Sequence, residues 1–242
     1  MSSLPEWMNK FLLIAHRGAS AYEPENTIKA FKRAIELGAD AIEFDIRLTR
    51  DGVPVVFHDE DLKRLVGIDV KVRDLSLTEL KQYNVMGEEI PTLDEVLSEI
   101  GGSIPLFIEI KDVEAVDKVV KAIIERKLID DSLIISFHRE AIIRAKEIDK
   151  RILTGLITVR RNVHAKDLVR LGIVSLLPRY DVITPRFIKE LHVHKLKVYA
   201  WTVNDPSLAT KLISYGVDGI ATDKPDLKRD VSKQQTLLKY FK

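Results

Sequence analysis

Short apolar segments alternate with longer amphipathic segments along nearly the whole chain. Each apolar segment spans five to eight residues, the usual length of a buried strand. The amphipathic segments carry apolar residues three or four positions apart, which predicts helices that are buried along one face. The predicted strands are Phe11–Ala15, Ala41–Ile46, Pro105–Ile110, Ser132–Phe137, Arg151–Thr158, Val174–Pro178, Lys197–Val203 and Val217–Thr222.

Helices are predicted in the segments that follow these strands. Gly38 ends the first of them, and Thr92 is a capping residue at which a broken helix restarts. The helical segments are Asn26–Leu37, Leu77–Ile100 with a break at Tyr83–Pro91, Val113–Lys127, Glu140–Ile148, Val163–Leu171, a helix opening at Thr184-Pro185, a helix from Asp205-Pro206 to Gly216, and a polar C-terminal helix. Eight strand–helix units predict parallel strands closed as an α/β (β/α)8 TIM barrel, in a single domain spanning residues 1–242.

A hairpin excursion is predicted directly after the second strand. In Ala41–Ile46 the carboxylates Glu43 and Asp45 alternate with bulky apolar residues, so both leave the same face of the strand. Asp51-Gly52 is a strong signal for a two-residue turn. Such a turn would place His58 directly opposite Asp45, with the two Cβ atoms about 5 Å apart.

Polar residues cluster where the predicted strands end. In barrels of this type the catalytic groups stand at the carboxyl ends of the strands. Here those ends carry His16, Glu43, Asp45, Glu109, Lys111, Trp201, Thr222 and Asp223. The sequence therefore predicts one active site at that end of the barrel.

Three of these residues are carboxylates: Glu43, Asp45 and Glu109. Carboxylates held close together repel one another, and their pKa values rise unless a cation neutralises them. Ligand sets made only of oxygen favour the divalent metals Mg²⁺ and Ca²⁺ over zinc. The alternative is an ion-pair network with the nearby cations Arg17, Arg47 and Lys111.

Two histidines, His16 and His58, are expected at the same end of the barrel. A pair of imidazoles can divide acid–base work near neutral pH, one accepting a proton while the other donates one. Arg17 and Lys111 add positive charge that suits a phosphate. Together with a metal, these groups suit phosphodiester cleavage. Trp201 either caps the core or lines the pocket.

Composition narrows the classes of function and location. Hydrophobic residues make up 45% of the 242 residues, and a net charge of +1 without a basic block argues against a nucleic-acid surface. The chain has no cysteine, which excludes disulfides and thiolate metal sites. The apolar run Phe11–Ala15 is too short for a signal peptide, and no run reaches the length of a membrane span. We therefore expect a soluble cytoplasmic protein without membrane insertion.

Most of the candidate site residues lie in seven short motifs that are distributed along nearly the whole chain. They are His16-Arg-Gly18, Pro24-Glu-Asn-Thr27, Gly38-Ala-Asp-Ala-Ile-Glu43-x-Asp45, Asp51-Gly-Val-Pro-Val-Val-x-His58-Asp59, Ile108-Glu109-Ile-Lys111, Trp201-Thr-Val-Asn204 and Gly216-Val-Asp-Gly-Ile-x-Thr-Asp223-x-Pro225. In this order they resemble the motifs of the glycerophosphodiester phosphodiesterases, whose barrel is related to that of the phosphatidylinositol-specific phospholipases C.

The resemblance implies a metal-dependent enzyme that splits small glycerophosphodiesters into glycerol phosphate and an alcohol. It implies His16 and His58 as the acid–base pair, Glu43, Asp45 and Glu109 as ligands of a divalent metal, Arg17 and Lys111 as phosphate contacts, and Trp201 as a pocket-lining aromatic. The segment Glu60–Ser103 is short for the family, so a reduced lid is expected. Two alternatives stay open. One is a lysophospholipase D-type activity, against which the lack of an obvious membrane-binding stripe counts; the other is a non-catalytic barrel that binds phosphodiesters.

Overall fold

Eight parallel strands close into a barrel within residues 4–227, the part of the chain that this computed structural model describes. The strands of the molecule are β1 Leu12–His16, β2 Ala41–Leu48, β3 Pro54–Val56, β4 Asn84–Val85, β5 Glu88–Glu89, β6 Leu106–Ile110, β7 Ser132–Ser136, β8 Leu153–Thr158, β9 Ser175–Pro178, β10 Lys197–Ala200 and β11 Gly219–Thr222. The barrel runs β1-β2-β6-β7-β8-β9-β10-β11, and β11 pairs with β1 to close it. The predicted (β/α)8 barrel is confirmed; the predicted polar C-terminal helix lies outside the described residues.

Helices on the outside of the barrel connect its strands. They are α1 Ile28–Glu36, α2 Lys63–Val66, α3 Leu77–Leu80, α4 Leu93–Ile100, α5 Val116–Glu125, α6 Arg139–Ile148, α7 Ala165–Arg170, α8 Pro185–Val193 and α9 Pro206–Tyr215, with 3-10 turns at Glu6–Asn9, Val72–Asp74, Val113–Ala115, Ile129–Asp131 and Tyr180–Val182. Thr92 caps α4 as predicted, and Thr184 and Asp205 cap α8 and α9 at the predicted helix starts; each accepts a hydrogen bond from the first turn of its helix. No helix in residues 4–227 is long and apolar enough to cross a membrane.

The barrel strands place alternate residues on two faces. On β2, Ile42 and Phe44 pack with the outer helices, whereas Ala41 belongs to the interior. The interior is filled by apolar side chains: Leu12, Ile14, Ala41, Phe107, Leu133, Ile135, Ile157, Leu177, Tyr199 and Ala221. The barrel is therefore a packed core, and chemistry is confined to its ends.

The hairpin after β2 has a three-residue turn, and the prediction of a two-residue turn is wrong. Pairing of β2 with β3 sets Asp45 opposite Phe57, whose backbone N–H donates to the Asp45 carbonyl (3.0 Å). Gly52, with φ of +74°, adopts the left-handed conformation required at the last position of such a turn. The predicted pairing of Asp45 with His58 is therefore wrong by one residue. His58 follows the end of β3, so the alternation of the ladder does not fix its side chain.

The segment between β3 and α4 forms a small unit beside the barrel. A ribbon of β4 and β5 occupies the predicted break between α3 and α4. The unit has its own buried cluster of apolar side chains: Val55, Phe57, Leu62, Val72, Leu80, Val85 and Ile90. This packing holds in place the segment that carries His58 and Asp59, because Phe57 and Leu62 on either side of them belong to the cluster.

Candidate active site

Carboxylates from two neighbouring strands meet at the carboxyl end of the barrel. Glu43 and Asp45 lie on β2 and Glu109 lies on β6, and the register pairs Asp45 with Glu109. All three residues are buried, and one oxygen of each lies within 4.8 Å of the others. The side-chain period of two brings Glu43 and Asp45 to the same face of β2.

Two cations contact this carboxylate cluster. Lys111 Nζ lies 3.0 Å from Asp45 Oδ1 and 2.6 Å from Glu109 Oε1. Arg17 donates its backbone N–H to Glu43 Oε2 (2.9 Å), and its Nε lies 3.2 Å from Asp45 Oδ2. The ion pairs considered as an alternative to a metal are therefore present for these two cations.

Arg47, the third cation considered, points elsewhere. Its Nη1 donates to Asp112 Oδ1 (2.8 Å), and its Nε donates to the carbonyl of His58 (2.9 Å). Arg47 therefore ties β2 to the backbone of His58 and is not a partner of the three clustered carboxylates.

The surroundings shift the pKa values of the three carboxyl groups in different directions. Burial, followed by the charges of Asp45 and Glu109, raises the pKa of Glu43 well above its ordinary value. Burial and the charge of Asp45 raise the pKa of Glu109 to about 7. Burial also opposes ionisation of Asp45, but Lys111 and Arg17 outweigh it and hold the pKa of Asp45 well below its ordinary value. The two cations therefore keep Asp45 ionised, whereas at the two glutamates they do not offset burial and the repulsion of neighbouring carboxylates.

The carboxylate cluster fits a divalent metal ion. Among the described residues, Glu43 Oε1 and Asp45 Oδ1 are buried and take part in no hydrogen bond, although Asp45 Oδ1 has its ion pair with Lys111. A buried carboxylate oxygen without a partner is costly unless a proton or a cation neutralises it. Because the donors are all oxygen atoms, a hard cation such as Mg²⁺ or Ca²⁺ suits the site.

His16 ends β1 and is oriented by Asp223, which follows β11. His16 Nδ1 lies 2.7 Å from Asp223 Oδ1, and Asp223 also accepts from Ser20 Oγ (3.0 Å) and Asn204 Nδ2 (2.6 Å). Burial raises the pKa of Asp223, but the hydrogen bonds, that of His16 first, outweigh it and lower the pKa to about 2. An ionised carboxylate can only accept, so the proton of His16 stays on Nδ1 and Nε2 is left for a substrate.

His58 has the same arrangement with its neighbour in the chain. Its Nδ1 lies 2.6 Å from Asp59 Oδ1, and Arg64 Nε donates to the other oxygen of Asp59 (2.6 Å). Burial lowers the pKa of His58 below its ordinary value, against the opposing charge of Asp45. The charge of Asp45 therefore acts on the His58 imidazole despite the shifted hairpin register.

Arg64 connects His58 to the other side of the site. Its Nη1 and Nη2 donate to the two oxygens of Glu25 at 2.8 and 2.7 Å, and Arg17 Nη1 donates to Glu25 Oε1 (2.8 Å). Burial raises the pKa of Glu25, but Arg64 and Arg17 outweigh it and lower the pKa. A continuous series of charged hydrogen bonds therefore runs through His58, Asp59, Arg64, Glu25 and Arg17.

Asn26 holds Asp45 from the loop after β1. Its Nδ2 donates to Asp45 Oδ2 (2.8 Å), and its Oδ1 accepts from the Asp45 backbone N–H (3.3 Å). Asn26 has φ of +60°, a left-handed conformation that asparagine tolerates better than most residues. Gly18 is needed in the same loop, because a Cβ there would lie 2.7 Å from the backbone of Ala30.

Trp201 lies at the mouth of the barrel and meets a second aromatic residue, Phe137. The two rings are edge to face, with centroids 5.6 Å apart, and Trp201 Nε1 donates to the carbonyl of Leu177 (2.7 Å). Lys111 Nζ lies 6.0 Å from the centroid of the Phe137 ring. Trp201 packs on the barrel interior and borders Phe137, so capping the core and facing the mouth are compatible.

Several residues of the site received no role from the sequence: Ser20, Glu25, Asn26, Asp59, Arg64, Phe137, Asn204 and Asp223. Five of them lie inside the motifs quoted above, and Phe137 ends a predicted strand. The motifs and the strand end indicate where these residues lie in the chain, but they do not indicate which residues they contact. Arg64 carried no signal, because its contact depends on how α2 is placed against the loop before α1 that carries Glu25.

The fold and the site together describe a phosphoric diester hydrolase built on a (β/α)8 barrel. Comparison with known proteins supplies the family. Residues 16–227 match the Glycerophosphoryl diester phosphodiesterase family, and the chain belongs to it. The family predicted from the motifs is therefore confirmed.

Individual relatives agree with this membership. The chain is 38% identical over 232 residues to a glycerophosphodiester phosphodiesterase of Caldanaerobacter subterraneus subsp. tengcongensis, covering 90% of this chain and 96% of the relative. It is similar to the crystal structure of the Thermotoga maritima glycerophosphodiester phosphodiesterase, with 32% identity, a TM-score of 0.81, and coverage of 91% and 98% of the two chains. It is also similar to an Oleispira antarctica phosphodiesterase in complex with the product sn-glycerol-3-phosphate, with 28% identity, a TM-score of 0.85, and coverage of 93% and 98%.

Proposed function

We propose that this protein hydrolyses glycerophosphodiesters to glycerol phosphate and an alcohol, with the aid of a divalent cation and two histidines. The observation that carries the proposal is that each histidine at the barrel mouth is hydrogen-bonded at Nδ1 to a carboxylate. This arrangement leaves Nε2 of each histidine for the substrate, at the end of the barrel that holds the buried acidic cluster. Family membership, and the product bound to the Oleispira antarctica relative, support glycerol phosphate as the product.

Glu43, Asp45 and Glu109 hold the cation in this proposal. A bound Mg²⁺ or Ca²⁺ would stabilise negative charge that develops on the phosphodiester. Arg17 and Lys111 add two cations beside the same carboxylates, where they bind phosphate oxygens and orient the substrate.

His16 and His58 move the protons. One accepts the proton of the attacking hydroxyl at Nε2, and the other donates a proton from Nε2 to the oxygen of the leaving alcohol. If water attacks, its oxygen forms a new P–O bond while the P–O bond to the alcohol breaks, which gives glycerol phosphate directly. If the substrate's own neighbouring hydroxyl attacks, the same P–O bond breaks and a cyclic phosphate forms; water then opens this ring to glycerol phosphate, with the proton roles of the two histidines exchanged. Asp223 and Asp59 favour the imidazolium that each histidine carries in its protonated state.

The test measures glycerol phosphate and choline released from glycerophosphocholine. Turnover is expected with Mg²⁺ or Ca²⁺, is expected to stop with excess chelator, and should be absent from Glu43→Ala at saturating metal. Glu125→Ala, which removes an exposed glutamate paired with Lys121 on α5, is the matched control and should keep wild-type turnover. Full turnover in chelator would contradict the proposed metal dependence. Binding of glycerophosphocholine without release of glycerol phosphate would indicate a non-catalytic barrel.

A further inference from the structure

The side chain of Asn26 makes two hydrogen bonds to Asp45, one of the three clustered carboxylates. Asn26 Nδ2 donates to Asp45 Oδ2 (2.8 Å), and Asn26 Oδ1 accepts from the Asp45 backbone N–H (3.3 Å). Both residues are almost fully buried, with exposed fractions of 2% and 1%. Two bonds to one residue fix the rotation of the Asp45 carboxylate as well as its position. Asn26 therefore influences which oxygen of Asp45 is available to a ligand.

The two oxygens of Asp45 have different surroundings. Oδ2 accepts from Asn26 and lies 3.2 Å from Arg17 Nε. Oδ1 is buried and, among residues 4–227, takes part in no hydrogen bond, although it has an ion pair with Lys111 Nζ (3.0 Å). A carboxylate oxygen carries two lone pairs, so Oδ1 can bind a cation beside Lys111. Asp45 thus offers Oδ1 to a metal, whereas Oδ2 is occupied.

The two glutamates of the cluster follow the same pattern. The Arg17 backbone N–H donates to Glu43 Oε2 (2.9 Å), and Lys111 Nζ donates to Glu109 Oε1 (2.6 Å). Glu43 Oε1 is buried and has no hydrogen-bond partner within the part of the chain that the structure describes. Each carboxylate therefore has one oxygen bonded to the protein, which leaves one oxygen per carboxylate for a metal.

Ligands that bind through one oxygen each affect Mg²⁺ and Ca²⁺ differently. Mg²⁺ demands near-ideal octahedral geometry and keeps several of its waters, so single oxygens from a few carboxylates suit it. Ca²⁺ takes about six to eight oxygen ligands in a flexible geometry and often uses both oxygens of a carboxylate. A carboxylate that is held to one free oxygen therefore costs Ca²⁺ a ligand that Mg²⁺ does not need.

We propose that Asn26 is a positioning residue for the metal: by occupying Asp45 Oδ2 it limits Asp45 to one ligand oxygen, which shifts the preference of the site toward Mg²⁺ and away from Ca²⁺. This inference rests on the cation of the proposed function. The loop after β1 holds Asn26 for this role. Asn26 has φ of +60°, and its backbone N–H donates to the Arg17 carbonyl (3.0 Å).

Isothermal titration calorimetry of the metal-free protein with MgCl₂ and with CaCl₂ tests the role of Asn26. Asn26→Gly removes the amide and tolerates the left-handed backbone. The Kd for Mg²⁺ should rise about tenfold or more, as is typical when a residue that orients a metal ligand is removed. The Kd for Ca²⁺ should change less, because the released Asp45 can offer both oxygens. The ratio of the Mg²⁺ Kd to the Ca²⁺ Kd should therefore rise about fivefold or more.

Asn84→Ala is the matched control for the titrations. Asn84 Oδ1 accepts from the Gly87 backbone N–H (2.9 Å) in the ribbon of β4 and β5, outside the carboxylate cluster. This variant removes an asparagine hydrogen bond without touching Asp45, so both Kd values should equal those of the wild type. Thermal unfolding of each metal-free variant checks that it is folded.

Infrared difference spectra, metal-loaded minus metal-free, report on Asp45 directly when aspartate side chains carry ¹³C, because the other two carboxylates are glutamates. A carboxylate that binds through one oxygen widens the separation of its antisymmetric and symmetric stretches, and one that binds through both narrows it. Wild type with Mg²⁺ should show the wide separation, and Asn26→Gly with Ca²⁺ the narrow one. The wild-type spectrum decides the question even if Asn26→Gly does not fold.

The outcomes separate this role from the proposed function. Equal losses of Mg²⁺ and Ca²⁺ affinity in folded Asn26→Gly, or no loss of either, overturn the positioning role while the cation of the proposed function stands. A narrow separation in the wild type with Mg²⁺ does the same. A wild type that binds neither ion would overturn the proposed cation itself.

Discussion

His16 Nδ1 lies 2.7 Å from Oδ1 of Asp223, a residue 207 positions further along the chain. The contact forms because β11 pairs with β1 and thereby closes the barrel. His58 obtains the same kind of partner from Asp59, its immediate neighbour. Both histidines therefore have a carboxylate at Nδ1. Closure of the barrel supplies the partner of His16, and the local loop supplies the partner of His58.

Removal of the His16 partner should impair catalysis more than binding. Asp223→Asn replaces an ionised acceptor with an amide that can donate to Nδ1, which favours the wrong tautomer of His16. We expect kcat to fall by about two orders of magnitude or more and KM to change little, as measured by steady-state kinetics. Asp218→Asn is the matched control, because Asp218 pairs with His192 (2.8 Å) outside the site. An equal loss in both variants would indicate general damage to the fold.

The same Asp223→Asn change should alter the response of stability to acid. The folded pKa of Asp223 is about 2, below the value of about 4 in an unfolded chain. Its ionised form therefore stabilises the fold above about pH 4, and this contribution is lost as the pH falls toward 2. By urea unfolding, the wild type should exceed the variant by about 2 kcal/mol near neutral pH, and the two should converge near pH 2. A difference independent of pH would indicate packing instead.

Glu43→Gln should stabilise the metal-free protein while it abolishes turnover. A carboxyl group whose folded pKa is raised costs stability as the pH rises above its unfolded pKa, and burial with two neighbouring carboxylates raises that of Glu43. Glutamine removes this cost and still accepts the Arg17 backbone N–H. In chelator at mildly alkaline pH we expect a gain of about 1 kcal/mol, read from thermal unfolding. The gain should disappear when Mg²⁺ or Ca²⁺ is added, since the metal stabilises the wild type. A lower melting temperature of Glu43→Gln than of the wild type in chelator would contradict this prediction.

Arg64 should act as a positioning residue for His58. Arg64→Lys keeps the charge but cannot donate to Asp59 and to both oxygens of Glu25 at once. We expect kcat to fall about tenfold with little change in KM, and the acidic limb of the pH profile to move, because Asp59 then holds His58 less firmly. Arg144→Lys is the control, because Arg144 makes a bidentate pair with Asp117 on the outer helices. A loss confined to KM would assign Arg64 to substrate binding.

The barrel could be predicted from the sequence because its determinants are local. Strand alternation and capping residues such as Thr92 act over a few positions. The hairpin register could not be predicted, since Asp51-Gly52 suits turns of two or three residues. Thr49 decides between them: its Oγ1 donates to Asp51 Oδ1 (2.6 Å) and accepts from the Val53 N–H (2.9 Å), which stabilises the longer turn.

The sequence indicates where the site residues lie in the chain better than it indicates which of them contact one another. Asp223 was expected at the end of the last strand, but its contact with His16 depends on the register in which β11 meets β1. Arg64 lies on the four-residue helix α2, outside the alternating pattern, so nothing local indicates that it reaches Glu25. Contacts of this kind follow from how whole elements pack, which periodicity does not specify.

The two proposed histidine roles can be separated by the choice of leaving group. If one histidine accepts a proton and the other donates one, His16→Ala and His58→Ala should each lower kcat on glycerophosphocholine by about two to four orders of magnitude. The double variant should lose far less than the product of the two losses, because one missing proton transfer already stalls the reaction. His192→Ala, which removes a histidine outside the site, should leave kcat unchanged.

A nitrophenyl ester of glycerol phosphate then assigns the roles. Its leaving group departs without protonation, so the variant that lacks the general acid should recover most of its activity, while the variant that lacks the base stays impaired. The pKa of His58 is lowered by burial, so at neutral pH this imidazole is largely unprotonated and suited to accept a proton first. On that ground we expect His16→Ala to be the variant that is rescued. Rescue of His58→Ala alone would reverse the assignment, and equal rescue of both variants, or of neither, would contradict the division of acid and base.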